Sequence, residues 1–167
     1  ILTAVVSALP AHAQIVTDEV IVTAQKRSQS VQEVPVAITA YSGEQIEALG
    51  IDNTTEITQQ VPSLQVSAWS LNVTIFNIRG ISQNNFTDNL EAPVAVYIDD
   101  AYMGSINGIS GQLFDVERVE VLRGPQGTLF GRNATGGLIH YITRDASEED
   151  ANGYLKGTYG SFNRVGI

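Results

Sequence analysis

The residues in this sequence most suited to chemistry are three arginines, Arg123, Arg132 and Arg144, placed around a glycine-rich segment. Pro125 fixes the backbone dihedral φ, and the glycines permit positive φ or a close backbone approach. Cations on a stiff loop usually have fixed anionic partners, although a tight turn without a binding role is the simpler alternative. The pattern argues against a nucleotide phosphate as the anion, because a phosphate-binding loop needs a glycine where Leu129 stands and a lysine that this loop lacks.

Other groups that could act in catalysis or bind metals are sparse. His140 stands alone in an apolar run and is expected to be a satisfied sheet residue, while His12 lies in a segment expected to be removed. Asp99 and Asp100 follow a predicted strand, where paired aspartates form turns more often than metal sites. The chain has no cysteine, and its net charge of −9 argues against nucleic acid as a partner. We therefore expect no catalytic residues, no metal site and no cofactor.

Two predicted strands must position the arginines. The first contains Val119 and Val121, which alternate with Glu120, and the second is the apolar run from Leu138 to Thr143. β-Branched and aromatic residues predict further strands at 36–40, 64–69, 73–79 and 94–98.

Capping-box patterns predict two short helices between the strands. The first follows Ser42 and Gln45 and stops near Gly50, and the second follows Asn53 and Glu56. These elements supply packing, and no chemistry is assigned to them.

The segment that runs from the first positioning strand into the second also carries a family signature. It reads V-E-V-L-R-G-P, then G-R-N-A, then G-G-L-I. This order resembles the signature of the plug domain of TonB-dependent outer-membrane transporters. The resemblance implies a mixed α/β (α+β) plug, with a small mixed sheet of about four strands and short helices inside a β-barrel. It also implies that Arg123 and Arg132 lock the plug to glutamates on the barrel wall.

The N-terminal region predicts export and a contact with another protein. Ile1 to Leu9 is apolar, and Ala11-His12-Ala13 resembles a signal-peptidase site, so the start reads as a signal-peptide remnant. The β-branched strand that follows is equally an edge strand of the domain or a template for strand addition by another chain. In the resembled family it is the TonB box, which implies TonB binding by Asp18, Glu19, Val20, Ile21, Val22, Thr23 and Ala24.

The same resemblance places two polar loops at the outer side of the barrel, where substrate arrives. Loop tips that combine polar groups with an aromatic ring suit hydrogen bonding and stacking, although ordinary surface loops are as good an interpretation. By resemblance, a ferric siderophore is the most expected substrate, and cobalamin, nickel complexes and oligosaccharides are the alternatives. The expected substrate contacts are Asn84, Asn85, Phe86 and Tyr102.

The expected domains are a signal remnant (1–13), a TonB box and linker (14–34), the plug (35–146), and a linker with the first barrel strand (147–167). A barrel strand takes about 9–11 residues and plugged transporters have about 22 strands, so the chain is expected to be a fragment that lacks its barrel. The implied function is gating of energy-coupled nutrient uptake in the outer membrane. A stand-alone periplasmic binding or adhesion module is the alternative, and an enzyme ranks third because no candidate constellation is visible.

Overall fold

The fold is built on one mixed β-sheet. In the computed structural model, the described residues are 20–23, 25–70, 73–83, 90–105, 113, 115–145, 157–161 and 164–166. The strands and helices in chain order are β1 (Ile21–Val22), β2 (Gln29–Ser30), β3 (Ala37–Ser42), α1 (Gly43–Ala48), a 3-10 helix (Thr54–Gln59), β4 (Leu64–Ala68), β5 (Thr74–Ile78), β6 (Ile81–Ser82), β7 (Val94–Ile98), β8 (Ala101–Tyr102), β9 (Val116–Arg123), α2 (Gly127–Phe130), β10 (Gly137–Thr143), β11 (Thr158–Gly160) and β12 (Arg164–Gly166).

The main sheet has the strand order β3-β9-β10-β7-β8. β9 is antiparallel to both of its neighbours, β3 and β10, whereas β10 and β7 run parallel. The short β8 closes one edge by pairing with β7. The predicted mixed sheet of about four strands is therefore confirmed, with β8 as a two-residue addition. Smaller antiparallel sheets are formed by β4-β5-β6, by β1 with β2, and by β11 with β12.

Both faces of the main sheet are buried. Successive side chains of a strand point to opposite faces, so Val119 and Val121 of β9 pack on one side and Leu122 packs on the other. The first face is covered by residues of α1, the 3-10 helix, β4 and β5: Ile46, Ile57, Leu64 and Phe76. The second face is covered by residues of the N-terminal segment and α2: Val22, Val34 and Phe130.

Both predicted capping boxes are present. The Ser42 hydroxyl accepts from the Gln45 amide at 3.2 Å, and the Gln45 side chain accepts from the Ser42 amide at 3.1 Å. Asn53 and Glu56 make the same reciprocal pair at the start of the second helix. That helix is of the 3-10 type, and its single buried isoleucine, Ile57, packs on the sheet. Within the described ranges, no helix has the length and apolar character needed to cross a membrane.

The glycine-rich segment contains a helix that the sequence did not predict. α2 is one short turn in which the Phe130 amide donates to the Gln126 carbonyl at 3.0 Å. Glycine disfavours helix formation, so the sequence predicts only a loop here. Burial of Phe130 against Leu122 and Leu138 overrides that local preference.

Candidate functional site

The loop that carries the arginines is held by backbone hydrogen bonds across its base. The Gly124 amide donates to the Gly136 carbonyl at 3.0 Å, and the Gln126 amide donates to the Ala134 carbonyl at 2.8 Å. The Gly136 amide in turn donates to the Pro93 carbonyl at 2.9 Å, which ties the loop to the start of β7. The arginines are therefore held on a stiff loop.

Arg123 lies at the end of β9, where the loop begins. Its Nη2 donates to the Ile38 carbonyl at 3.5 Å, and its Nε is buried with no acceptor in the described part of the chain. A second guanidinium is close by, because Arg79 Nη1 lies 3.5 Å from the point that a Cβ on Gly124 would occupy. Two cations beside one turn, one with an unfilled buried donor, favour an anionic partner.

Arg132 lies at the other end of the loop and already has a partner. Its Nε and Nη2 donate to one oxygen of Glu91, at 3.2 and 2.9 Å. The Asn133 side-chain amide donates to the same oxygen at 2.7 Å and to the Tyr102 hydroxyl at 2.8 Å. We call Glu91, Tyr102, Arg132 and Asn133 the Glu91 cluster.

The Glu91 cluster keeps its carboxylate charged. The hydrogen bond from Asn133, followed by the one from Arg132, holds the pKa of Glu91 below its ordinary value of 4.5. The Arg132 side chain is 84% exposed, so its ion pair with Glu91 is open to solvent. Such exposed pairs contribute little to stability because solvent screens them, and a stronger anionic partner can compete for this arginine.

The N-terminal strand β1 forms a hairpin with β2 that packs on the second face of the sheet. Val22 is fully buried there, whereas Ile21 is 46% exposed. Ile21 pairs with Ser30 and Val22 pairs with Gln29. Both interpretations of this strand stay open. Its inner side chain packs in the domain, while β2 is its one strand neighbour among the described residues.

A buried carboxylate holds the end of β1. Glu120 Oε1 accepts from the Thr23 amide at 2.8 Å and from the Thr23 hydroxyl at 3.2 Å. Arg118 Nε donates to the same oxygen at 2.9 Å, and Arg118 Nη2 donates to the Thr23 hydroxyl at 3.3 Å. We call Thr23, Arg118 and Glu120 the Thr23 clamp.

Two open grooves flank the Thr23 clamp. One, of about 550 Å³, is lined by Val20, Ile21 and residues around the start of α1. The other, of about 750 Å³, is lined by Thr23, His140 and residues of the β7–β8 turn. Glu117 and Arg118 line both grooves.

Several predicted site residues lie outside the described residues. These are Asp18, Glu19 and Ala24 of the N-terminal strand, and Asn84, Asn85 and Phe86 of the predicted substrate loop. Of the four predicted substrate contacts, the structure describes Tyr102. Asn133 links the Tyr102 hydroxyl to Glu91, which in turn accepts from Arg132.

The side chains that the sequence offered for metal binding have other contacts. Asp99 is in the turn after β7 with a φ of 53°, and its carboxylate accepts from the Thr143 amide at 2.9 Å and from its hydroxyl. This fits the predicted turn. His140 is buried in β10 and its Nε2 contacts the Asp99 carbonyl.

Sequence reasoning did not single out four residues that the structure places in the site: Glu91, Arg118, Glu120 and Asn133. One signal was available for Glu120. The strand V-E-V-L is apolar on both sides of the glutamate, so a charge there must be buried or lie at an interface. Nothing in the sequence pairs Glu91 with Arg132, because 41 positions separate them.

The fold and the signature loop agree with comparisons to known proteins. Residues 30–138 match the family model of the TonB-dependent Receptor Plug Domain. The pesticin receptor of Yersinia pestis is 31% identical over 156 residues, which cover 89% of this chain and 23% of that receptor. The vitamin B12 transporter BtuB of Vibrio vulnificus is 33% identical over 147 residues, covering 84% of this chain and 23% of that protein.

Solved structures give the same result. The ferric yersiniabactin uptake receptor FyuA from Yersinia pestis superposes with a TM-score of 0.59 at 29% identity, over 66% of this chain and 17% of the receptor. The pyoverdine receptor FpvA from Pseudomonas aeruginosa has a TM-score of 0.65 at 21% identity, over 87% of this chain and 20% of that receptor, which supports the fold alone.

The chain belongs to the plug-domain family of TonB-dependent receptors. It spans about a quarter of the length of the curated relatives it matches, 23% for the pesticin receptor. These relatives are named as receptors and transporters, not as enzymes, and the family does not favour a stand-alone binding or adhesion module.

Proposed function

We propose that this domain gates TonB-driven uptake of a ferric siderophore through the outer membrane, as the plug of its own C-terminal β-barrel. The observation that carries the proposal is the match of residues 30–138 to the plug family. The substrate class is supported by the similarity to FyuA at 29% identity, since that protein is a ferric yersiniabactin uptake receptor. Similarity to a vitamin B12 transporter keeps cobalamin as the competing substrate.

The N-terminal strand is the proposed contact with TonB, through residues Asp18 to Ala24. Ile21 is exposed, and within the part of the chain that the structure describes, β1 pairs with one strand, β2. An extended segment can add to such an edge by backbone hydrogen bonds. The strand would lie on the periplasmic side, where a pull on it can be transmitted to the plug.

The signature arginines are the proposed lock to the barrel. Among the described residues, Arg123 has a buried, unfilled donor, and Arg132 pairs with the solvent-exposed Glu91. A guanidinium can grip a carboxylate with two parallel hydrogen bonds. Glutamates on the inner wall of the barrel would supply those carboxylates.

Substrate would arrive at the outer loops, which carry Asn84, Asn85, Phe86 and Tyr102. The support for this comes from Tyr102, whose hydroxyl accepts a hydrogen bond from Asn133 of the signature loop. A ligand that contacts Tyr102 would therefore be one hydrogen bond away from the residue next to Arg132.

Uptake measurements in the source bacterium test the proposed function. A strain lacking the full-length protein should lose uptake of at least one radiolabelled ferric siderophore, and the wild-type gene should restore it. Cobalamin uptake is measured in parallel and should not change. Loss of cobalamin uptake alone would reassign the substrate, and unchanged uptake of both would overturn the proposal.

A further inference from the structure

Glu120 is a charged side chain in the middle of the central strand, and its exposed fraction is 0%. It lies between Ala40 of β3 and His140 of β10 in the register of the sheet. A buried carboxylate is costly unless hydrogen bonds and opposite charge compensate it. An apolar residue would pack at this position at lower cost, so the charge calls for a reason beyond stability of the sheet.

The compensation comes from the N-terminal segment and from Arg118. All four contacts of the Thr23 clamp lie between 2.8 and 3.3 Å, and three of them converge on Glu120 Oε1. The second oxygen, Oε2, is buried and accepts no hydrogen bond from any residue that the structure describes. Oε1 thus joins Arg118 to Thr23 at the end of β1.

The Thr23 amide is a donor on the open edge of β1. The Val31 amide donates to the Val20 carbonyl at 3.0 Å, so Val20 and Val22 direct their backbone groups towards β2. Backbone groups alternate between the two edges of a strand, so those of Ile21 and the amide of Thr23, the residue directly after β1, point to the other edge. The Thr23 carbonyl instead accepts from the Lys26 amide at 2.8 Å in the turn that follows β1. Glu120 therefore caps the Thr23 amide on the edge that an added strand would need.

We infer that Glu120, oriented by Arg118, is a latch that holds β1 on the sheet and is exchanged for the backbone of the partner strand. This inference rests on the proposed function, because it specifies how access to the TonB-binding strand is controlled. Exchange gives the Thr23 amide a carbonyl acceptor from the partner. The two open grooves that Arg118 lines, one of which Thr23 also lines, give that strand and water access to the clamp.

The test is the reactivity of a buried reporter on β1, measured in the full-length protein without TonB. Val22→Cys places a thiol at a fully buried position. The 167 residues given contain no cysteine, and any cysteine elsewhere in the full-length protein is first replaced by serine. Glu120→Gln should speed maleimide modification of this thiol roughly tenfold, the change expected when a hydrogen bond to a charged group is lost. Glu117→Gln is the matched control, because Glu117 also pairs with Arg118 but has no contact with Thr23 among those described.

A second reporter separates release of β1 from unfolding. Ile57→Cys lies in the core of the opposite face and should stay unreactive in every variant. If Glu120→Gln exposes the Ile57→Cys thiol too, the milder variant Thr23→Val is used instead. Thr23→Val removes the hydroxyl from the clamp. It should give a smaller increase in the maleimide modification rate, and only for the Val22→Cys thiol. Equal reactivity of the Val22→Cys thiol in the Glu120→Gln and Glu117→Gln proteins, or no effect of Thr23→Val in the unfolding case, would overturn the latch. TonB is absent from this assay. A failure of the latch can therefore be told apart from a failure of the proposed uptake function.

Discussion

At the scale of single residues, the signature loop needs glycine where a side chain would clash with a neighbouring strand. Gly137 begins β10 with a φ of 147°, and a Cβ there would lie 2.3 Å from the Leu122 carbonyl oxygen. Gly50, after α1, has a φ of 68° but no atom within 4 Å of its Cβ position. Both glycines have a positive φ, but they differ in the space available to a side chain.

Gly137→Ala should therefore be more harmful than Gly50→Ala. A backbone at positive φ costs a non-glycine residue about 1–2 kcal/mol, and the clash with β9 adds a further cost of about 1–3 kcal/mol. Hydrogen exchange of the β9 and β10 amides in the full-length protein measures the difference. Equal protection in the two variants would show that β9 can move away at no cost.

The Glu91 cluster has a predictable pH response. Because the pKa of Glu91 is lowered in the folded state, its contact stabilises the fold above pH 4.5 and is lost as the pH falls through the lowered pKa. Asn133 is the largest cause, so Asn133→Ala should move the pKa back towards 4.5. Carboxyl ¹³C NMR of Glu91 checks this, and Thr135→Ala serves as the control, since Thr135 bonds only the Arg132 carbonyl among the described contacts. An unchanged pKa in Asn133→Ala would contradict the assignment.

At the scale of elements, β1 separates two functions by alternation. The Val22 backbone faces β2 and its side chain packs in the core, whereas the Ile21 backbone faces the open edge. Val22 therefore holds the strand on the domain, and Ile21 presents its open edge to a partner strand.

Ile21→Pro should abolish TonB-dependent uptake and leave ligand binding from outside intact. Proline removes the amide donor that an added strand would use, and it does so on the open edge, away from β2. Ile21→Ala keeps that amide and is the control, with expected uptake close to wild type. Radiolabelled siderophore uptake and equilibrium binding to whole cells are the two measurements. Wild-type uptake by Ile21→Pro would contradict strand addition at this edge.

How far the sequence predicts the elements depends on whether the determinants are local. Capping at Ser42 and Asn53 and the β-branched run of β7 are local, and they were predicted. The α2 helix was missed because it depends on burial of Phe130 by residues far along the chain. The Thr23 clamp was missed for the same reason, since 97 positions separate Thr23 from Glu120.

At the scale of the whole molecule, one central strand connects the proposed contacts with TonB and with the barrel. β9 carries Glu120, which holds β1, and it ends at Arg123, which is the proposed lock. Three residues along one strand lie within about 10 Å. A displacement of β1 would therefore act on β9 close to the proposed lock at Arg123.

Arg123→Ala should loosen the plug more than Arg132→Ala in the full-length protein. Breaking a buried ion pair costs about 3–5 kcal/mol, and Arg123 has the buried Nε, whereas Arg132 is exposed. We expect faster hydrogen exchange across 119–143 and leakage of small solutes, strongest in the double variant. Arg144→Ala is the control, because its pair with Glu47 is exposed and 3.8 Å long. A double variant with the exchange, leakage and uptake of the wild type would exclude the lock, since an unpaired carboxylate cannot stay buried in the barrel without a measurable cost.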